Sequence, residues 1–346
     1  MKKKALTAIL KLCVIAVCLS VLLRKLDLAQ IRHNLAHVHW LYLLPALVMI
    51  LFEPVVMAFK WNLLLRHKGI RAGLPNVIRL LFMSNFISII FPTALGADAL
   101  RVYFLKRQKH SLAHATASLL ADRMIALAAL SLLSLVGIAA AWPLVSDRHV
   151  IWIVVTTGVV GLAAIGAVVS DTAFHLGQRI RRRLDAAGSA PSGPMRQIQR
   201  IAGVVEEVHA STRSYAAAPR LLAGVFLLTV GVQVLRTFQI HFLFRAVGAP
   251  VPVFQEFAFV PMIILVTLLP ISYWGFGVKE GAFAFFFSSV GVAATVSVSV
   301  SLITYPLIAI GLLPGAVFLA LRGEDADAEA SAPPGAAGPA AGCESP

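Results

Sequence analysis

Apolar residues run along this chain in long stretches separated by short basic loops. Stretches at 5–23, 41–58, 76–96, 113–142, 150–170, 221–245, 254–274 and 282–321 each hold enough apolar residues to rival a membrane span. A span needs about 20 such residues. Two stretches are broken near their ends. The first reads Phe91-Pro92-Thr93-Ala94-Leu95-Gly96-Ala97-Asp98, and the second reads Leu269-Pro270-Ile271-Ser272-Tyr273-Trp274-Gly275-Phe276-Gly277. Backbone opened by Pro and Gly persists at membrane depth only where protein packs around it or a watery cavity faces it.

Composition sharpens this picture. The AVILMFWYC set makes up 59% of the 346 residues and DEKR only 13%. Soluble domains run at about 45–50% apolar and about 25% charged, so a soluble fold and a disordered chain are both excluded. The N-terminal stretch has no small-residue cleavage site after it, and Arg24-Lys25 follows directly. It reads as a retained helix rather than a signal peptide.

The net charge of +14 fits basic loops that fix topology, so no nucleic-acid partner is expected. If 76–96 crossed the membrane fully, the Arg-rich loop 171–220 would fall outside. If 76–90 instead dips in and returns, and 256–270 with 278–290 does so from the other face, most Lys and Arg fall inside. Loops 59–75, 97–112 and 171–220 then become cytoplasmic. The expected fold is therefore an all-α polytopic membrane protein. It has six spanning helices plus two re-entrant helical hairpins arranged as an inverted-topology repeat, with halves at about 1–142 and 150–321 and both termini cytoplasmic. Paired Gly/Pro-interrupted segments in two such halves point to a transport site near the midplane. Within loop 171–220, Ile198, Ile201, Val205 and Val208 suggest a surface-lying amphipathic helix. The acidic, Ala/Pro/Gly-rich tail at 322–346 is expected to be disordered.

Ionisable residues inside apolar segments are the natural functional candidates, because charge in hydrocarbon is costly. Asp98 and Arg101 follow the first break. Asp122 and Arg123 sit within a span. Lys279 and Glu280 follow the second break, and Glu53 and Arg236 lie mid-span in different halves. Pro92, Gly96, Pro270, Gly275 and Gly277 are the expected hairpin-turn residues. The cations would hold an anionic headgroup, Arg in bidentate fashion, and the carboxylates would balance them. The alternative is that these groups form ion pairs that lock helices together. His33, His37, His39, His110 and His114 read as solvated loop residues. Three cysteines at unrelated spacings suggest neither a metal nor a disulfide framework. No P-loop and no G-x-S-x-G elbow occurs, and no cofactor or metal is expected.

Three segments carry a family resemblance. Asn85…Pro92-Thr93-Ala94-Leu95-Gly96-Ala97-Asp98-Ala99-Leu100-Arg101 resembles an N-x6-P-x-x-x-G-G-D-x-x-R motif, with Ala97 in place of the second Gly. Ala121-Asp122-Arg123-Met124 resembles a (D/E)-R helix. Leu269–Gly281 resembles L-P-(I/V)-S-x-x-G-x-G-x-(R/K)-E-G. Together they resemble the lysylphosphatidylglycerol synthase transmembrane-region family, also called flippase-like. That resemblance implies a bacterial or archaeal inner-membrane protein that moves a lipid between leaflets. It implies no aminoacyl transfer, since the soluble half of full-length synthases is not expected in the roughly 25 residues after the last span. Two other readings stay open. One is an intramembrane transferase acting on a polyprenyl- or terpenoid-linked lipid, with Asp98 and Asp122 as base or metal ligands. The other is a non-transporting partner subunit of a lipid-modifying enzyme.

Overall fold

The computed structural model describes residues 27–88, 94–107, 112–145, 148–169, 215, 217–268 and 275–331. The expected first span at 5–23, the amphipathic segment at 198–208, His110, Pro92 and Pro270 lie outside the described residues. Among the described residues every regular element is helical. In chain order they are α1 (Leu28–Ala36), α2 (Trp40–His67), α3 (Leu74–Ile87), α4 (Ala94–Arg107), α5 (Leu112–Ala141), α6 (Arg148–Val169), α7 (Pro219–Ala246), α8 (Val253–Leu268), α9 (Val278–Ser288) and α10 (Ala294–Ser331). Four of them are long and apolar enough to cross a membrane: α2, α5 from His114, α7, and α10 as far as Leu321.

The broken stretches become pairs of short helices. At about 1.5 Å per residue, the 14 residues of α3 or α4 reach about 21 Å and the 11 of α9 about 16 Å, short of a hydrocarbon core of about 30 Å. The second break has a visible backbone cause. Gly275 and Gly277 adopt φ of +79° and +80°, a left-handed region that only Gly enters cheaply. Gly96 lies in the first turn of α4 rather than in the connection before it.

Two apolar cores occupy opposite ends of the bundle. The first combines the end of α2 (Trp61, Leu64, Leu65), the start of α3 (Val77, Leu80, Leu81) and the end of α4 (Phe104, Leu105), with Ala115 and Leu119 of α5 and Val225 of α7. The second combines the start of α8 (Ala258, Phe259, Met262) and the end of α9 (Phe283, Phe286, Phe287). It also holds the end of α7, the end of α5 and the start of α6. Hence α3 begins where α4 ends, and α8 begins where α9 ends, at the other end of the molecule.

Helices α2 and α7 run antiparallel to each other. His39 N–H donates to Ala246 O at one end, Arg236 meets Glu53 midway, and Lys60 reaches Thr229 at the other end. Around this pair the packing is reciprocal. The first short pair rests on α10 through α3, and the second rests on α5 through α8. Each crossing is made at a glycine. A Cβ on Gly137 would lie 2.5 Å from Ala258 Cα, and one on Gly315 would collide with Phe82 O.

Three placements differ from the sequence reading. Lys60, assigned to a cytoplasmic loop, is inside α2 and buried, because the helix continues to His67. Most of 97–112, assigned to a cytoplasmic loop, is helical, because α4 continues to Arg107. Of the histidines read as loop residues, His33 lies within α1, stacked on His37, and His114 lies within α5. The last helix also runs on to Ser331, where Ala and Glu favour helix.

Because the close approaches are backbone on backbone, Gly137→Ala and Gly315→Ala are each expected to destabilise the protein by about 1–3 kcal/mol or more. Gly224→Ala, facing open space within α7, should stabilise it by up to about 1 kcal/mol. Thermal unfolding in detergent measures all three, and a tolerated Gly137→Ala would contradict the described crossing.

Candidate functional site

The returning limb of the first short pair, α4, carries Asp98 and Arg101 on one face, three residues apart. Both are buried, at 5% and 6% exposure. Asp98 Oδ1 accepts from Arg101 Nη1 at 3.2 Å. Its Oδ2 accepts from Arg123 of α5, from Nη2 at 2.7 Å and Nε at 3.0 Å. Arg101 also ties the two limbs together, donating to Ser84 Oγ at 3.1 Å and to Asn85 Oδ1 at 2.7 Å on α3.

Asp122 and Arg123 are chain neighbours on different helix faces and part company. Asp122 faces α2, where Lys60 Nζ lies 2.9 Å from Oδ1. That contact lacks hydrogen-bond geometry, so it is an ion contact only. The grouped residues Lys60, Arg101 and Arg123 bring three cations against two carboxylates, and one positive charge is left over. The Arg123 side chain is 38% exposed and is the open edge of the group.

The second limb, α9, carries Lys279 and Glu280. Glu280 is buried, and both its oxygens are engaged. Oε2 accepts the Gly277 N–H at 2.7 Å, satisfying an orphan donor at the helix start. Oε1 accepts from Tyr305 Oη at 2.8 Å and from Ser301 Oγ at 3.1 Å on α10. Lys279 donates to Thr304 Oγ1, and its Nζ lies 4.7 Å from the Tyr305 ring centroid. Phe276 stacks on Tyr305 with ring centroids 4.2 Å apart. Lys279 and Glu280 together leave no net charge in this group.

The two groups occupy matching positions. Asp98 is held by a residue 25 positions further on, and so is Glu280. Arg123 holds the first and Tyr305 the second. Among the described residues, no hydrogen bond or ion pair joins the two groups. Arg236 belongs to neither: its Nη2 and Nε donate to Glu53 Oε1 at 2.6 and 2.9 Å, across the α2–α7 crossing. Asp98 and Asp122 are held by different cations and do not form one acidic pair. Among the described residues there is no cluster of three or more His, Cys, Asp or Glu suited to a metal.

A model of the lysylphosphatidylglycerol synthase transmembrane region matches residues 8–315. The chain belongs to that family. It is 26% identical over 277 residues to a UPF0104 membrane protein of Methanothermobacter thermautotrophicus, covering 76% of each chain. It is 22% identical over 279 residues to a UPF0104 membrane protein of Pyrococcus horikoshii, covering 76% of this chain and 81% of that one. The transmembrane-region motifs of this chain thus fall on the two short helix pairs and on α5.

Several polar partners escaped sequence reasoning. Ser84, Ser301, Thr304 and Tyr305 are ordinary span residues until the fold faces them towards α4 and α9. Lys60 was legible as charge but not as buried. Glu256 of α8, fully buried, was hidden by its place at a segment edge. Outside the spans, Tyr215 is buried under the end of α2 and donates to Leu64 O at 3.2 Å. Burial pushes its phenol well above the ordinary range, so it stays a neutral donor.

The Lys60–Asp122 contact gives a sharp expectation. Lys60→Met or Asp122→Leu alone leaves a buried charge unpaired and should cost about 3–5 kcal/mol. The double variant should recover most of that loss, read as the denaturation midpoint in detergent. Additive losses would show that the two groups do not pair.

Proposed function

We propose that this membrane protein carries an anionic lipid between leaflets, with its headgroup held at the cationic group around Arg101 and Arg123. The observation that carries this reading is the surplus positive charge. A buried cluster with one unneutralised cation favours an incoming anion. Arg123 offers planar N–H groups suited to a phosphate. Asn62 and Gln233 add buried side-chain oxygens that find no donor among the described residues, consistent with a polar path between α2, α5 and α7.

The proposed topology follows from the same features. The first short pair enters and leaves at one end of the bundle, the second at the other, and neither is long enough to cross. Both therefore serve as re-entrant hairpins in an inverted repeat. The reciprocal packing at Gly137 and Gly315 supports that repeat, as do the matching 25-residue spacings. With the apolar stretch 5–23, read as a span from its sequence alone, helix α6 brings the proposed number of spans to six. Arg66, Lys68, Arg71, Lys106, Arg107 and Arg220 gather at the end where the first hairpin opens, which the positive-inside rule places in the cytoplasm. Both termini are then cytoplasmic, in the inner membrane of a bacterial cell. A lipid-modifying enzyme as partner belongs to the same reading.

Reconstitution tests this. Vesicles holding the full chain should speed leaflet exchange of a fluorescent phosphatidylglycerol. Arg123→Gln should slow that exchange about tenfold, equivalent to about 1.4 kcal/mol, while leaving a zwitterionic phosphatidylcholine probe much less affected. Exchange no faster than in empty vesicles, or an unchanged rate in Arg123→Gln, would overturn the reading.

A further inference from the structure

At the opposite end of the bundle from the cationic group lies a second set of ionisable side chains that the headgroup site does not use. Glu256, in the first turn of α8, is fully buried. Its two oxygens lie 3.0 and 3.2 Å from His241 Nδ1 on α7. On the far side of the ring, Arg245 Nε donates to His241 Nε2 at 3.0 Å. Arg245 is exposed, so a line of contacts leads from the surface to a buried carboxylate.

The donor and acceptor chemistry of these contacts is consistent with a single protonation state. Arg carries only donors, so His241 Nε2 must accept. The ring is then neutral with its proton on Nδ1, and Glu256 must be a carboxylate to accept that proton. The set holds one negative and one positive charge, balanced through the imidazole.

A single added proton is incompatible with this arrangement at either position. If His241 takes it, Nε2 becomes a donor and loses the lone pair that Arg245 uses. If Glu256 takes it, two donors face each other across the Glu256–His241 contact. The ring must then move its own proton to Nε2, which again removes the acceptor for Arg245. In both cases the link between α7 and α8 survives and Arg245 is expelled. The proton comes from water, no bond other than hydrogen bonds changes, and the site gains one positive charge at its exposed end.

We propose that Glu256, His241 and Arg245 form a proton-binding site that couples the carrier to a proton gradient, with uptake of one proton releasing the Arg245 guanidinium at the mouth of the second hairpin for an anionic headgroup. The coupling rests on the transport reading above; the proton site itself does not. Other charged or titratable groups on the helices packed against α7 and α8 are placed as follows. On α5, Asp122 and Arg123 sit in the cationic group, and His114 lies in the same half of the helix. The part of α5 facing α8 around Gly137 carries no titratable residue. On α2, Glu53 pairs with Arg236 and Lys60 with Asp122, Arg66 and His67 lie at the far end, and Tyr42 flanks the second core. His39, capping α2, meets α7 through its backbone. Lys279 and Glu280 of α9 are held by α10, where Tyr305 closes on Glu280.

Nitrogen-15 labelling of His and Arg in the full chain, embedded in phosphatidylglycerol nanodiscs, tests the site without transport. On acidification the Arg245 Nε signal should move together with the His241 ring signals in one transition. Glu256→Gln, which removes the charge that favours an imidazolium, should move that transition down by about one pH unit or more. Arg245→Met, which removes the competing donor at an exposed position, should move it up. An Arg245 signal that stays still while His241 titrates, or one midpoint shared by all three proteins, would overturn the proton site. In vesicles, an imposed pH gradient should change the exchange rate of fluorescent phosphatidylglycerol at least threefold in the wild type and not in Glu256→Gln. Equal sensitivity in both would overturn the coupling. A wild type that moves no lipid overturns the transport reading instead and leaves the spectra to decide the proton site.

Discussion

A carboxylate cannot stand bare in hydrocarbon, and this constraint organises the molecule. Each returning limb carries one near its start, Asp98 on α4 and Glu280 on α9, and each is satisfied by the long helix that follows. The carboxylate therefore pins a short helix to a long one at the point where the backbone has been broken. Glu280 also caps the α9 start through Gly277 N–H, so one side chain serves both the break and the dock. An unpaired ionised group at these positions would cost several kcal/mol, comparable to the whole stability of many domains.

The same spacing is used for different chemistry. Where Arg123 grips Asp98, the neutralisation overshoots, because Arg101 already provides one cation. Where Tyr305 grips Glu280, a neutral hydroxyl suffices and Lys279 balances the charge. The first group is left with an appetite for an anion and an open edge. The second is engaged by Tyr305, on which Phe276 stacks, and by Thr304. In the proposed function, the first group holds the headgroup and the second holds the scaffold.

Much of this was legible in the sequence, for physical reasons. Apolar runs and Pro/Gly interruptions are set by the bilayer, so the long helices and both breaks could be read directly. The motif residues Asp98, Arg101, Arg123, Lys279 and Glu280 stood out because charge is rare in such a chain. Their partners did not. Ser301 and Tyr305 are unremarkable until a helix turns them towards Glu280, and neighbours such as Asp122 and Arg123 diverge only because a helix rotates about 100° per residue. Lys60 misled, because a basic residue near a segment end reads as a loop residue. Its burial depends on Asp122, 62 positions along the sequence and adjacent only after folding.

The most direct test of the central claim, two short helix pairs opening on opposite faces, is sidedness. With Cys13, Cys18 and Cys343 replaced by Ser, single cysteines at Arg71, Arg107, Gly248 and Gly291 can be exposed to a membrane-impermeant thiol reagent in sealed vesicles of known orientation. The account predicts that the first two label from the cytoplasmic face alone and the last two from the opposite face alone. Labelling of Arg71→Cys and Arg107→Cys from different faces, or of all four from the same face, would contradict it.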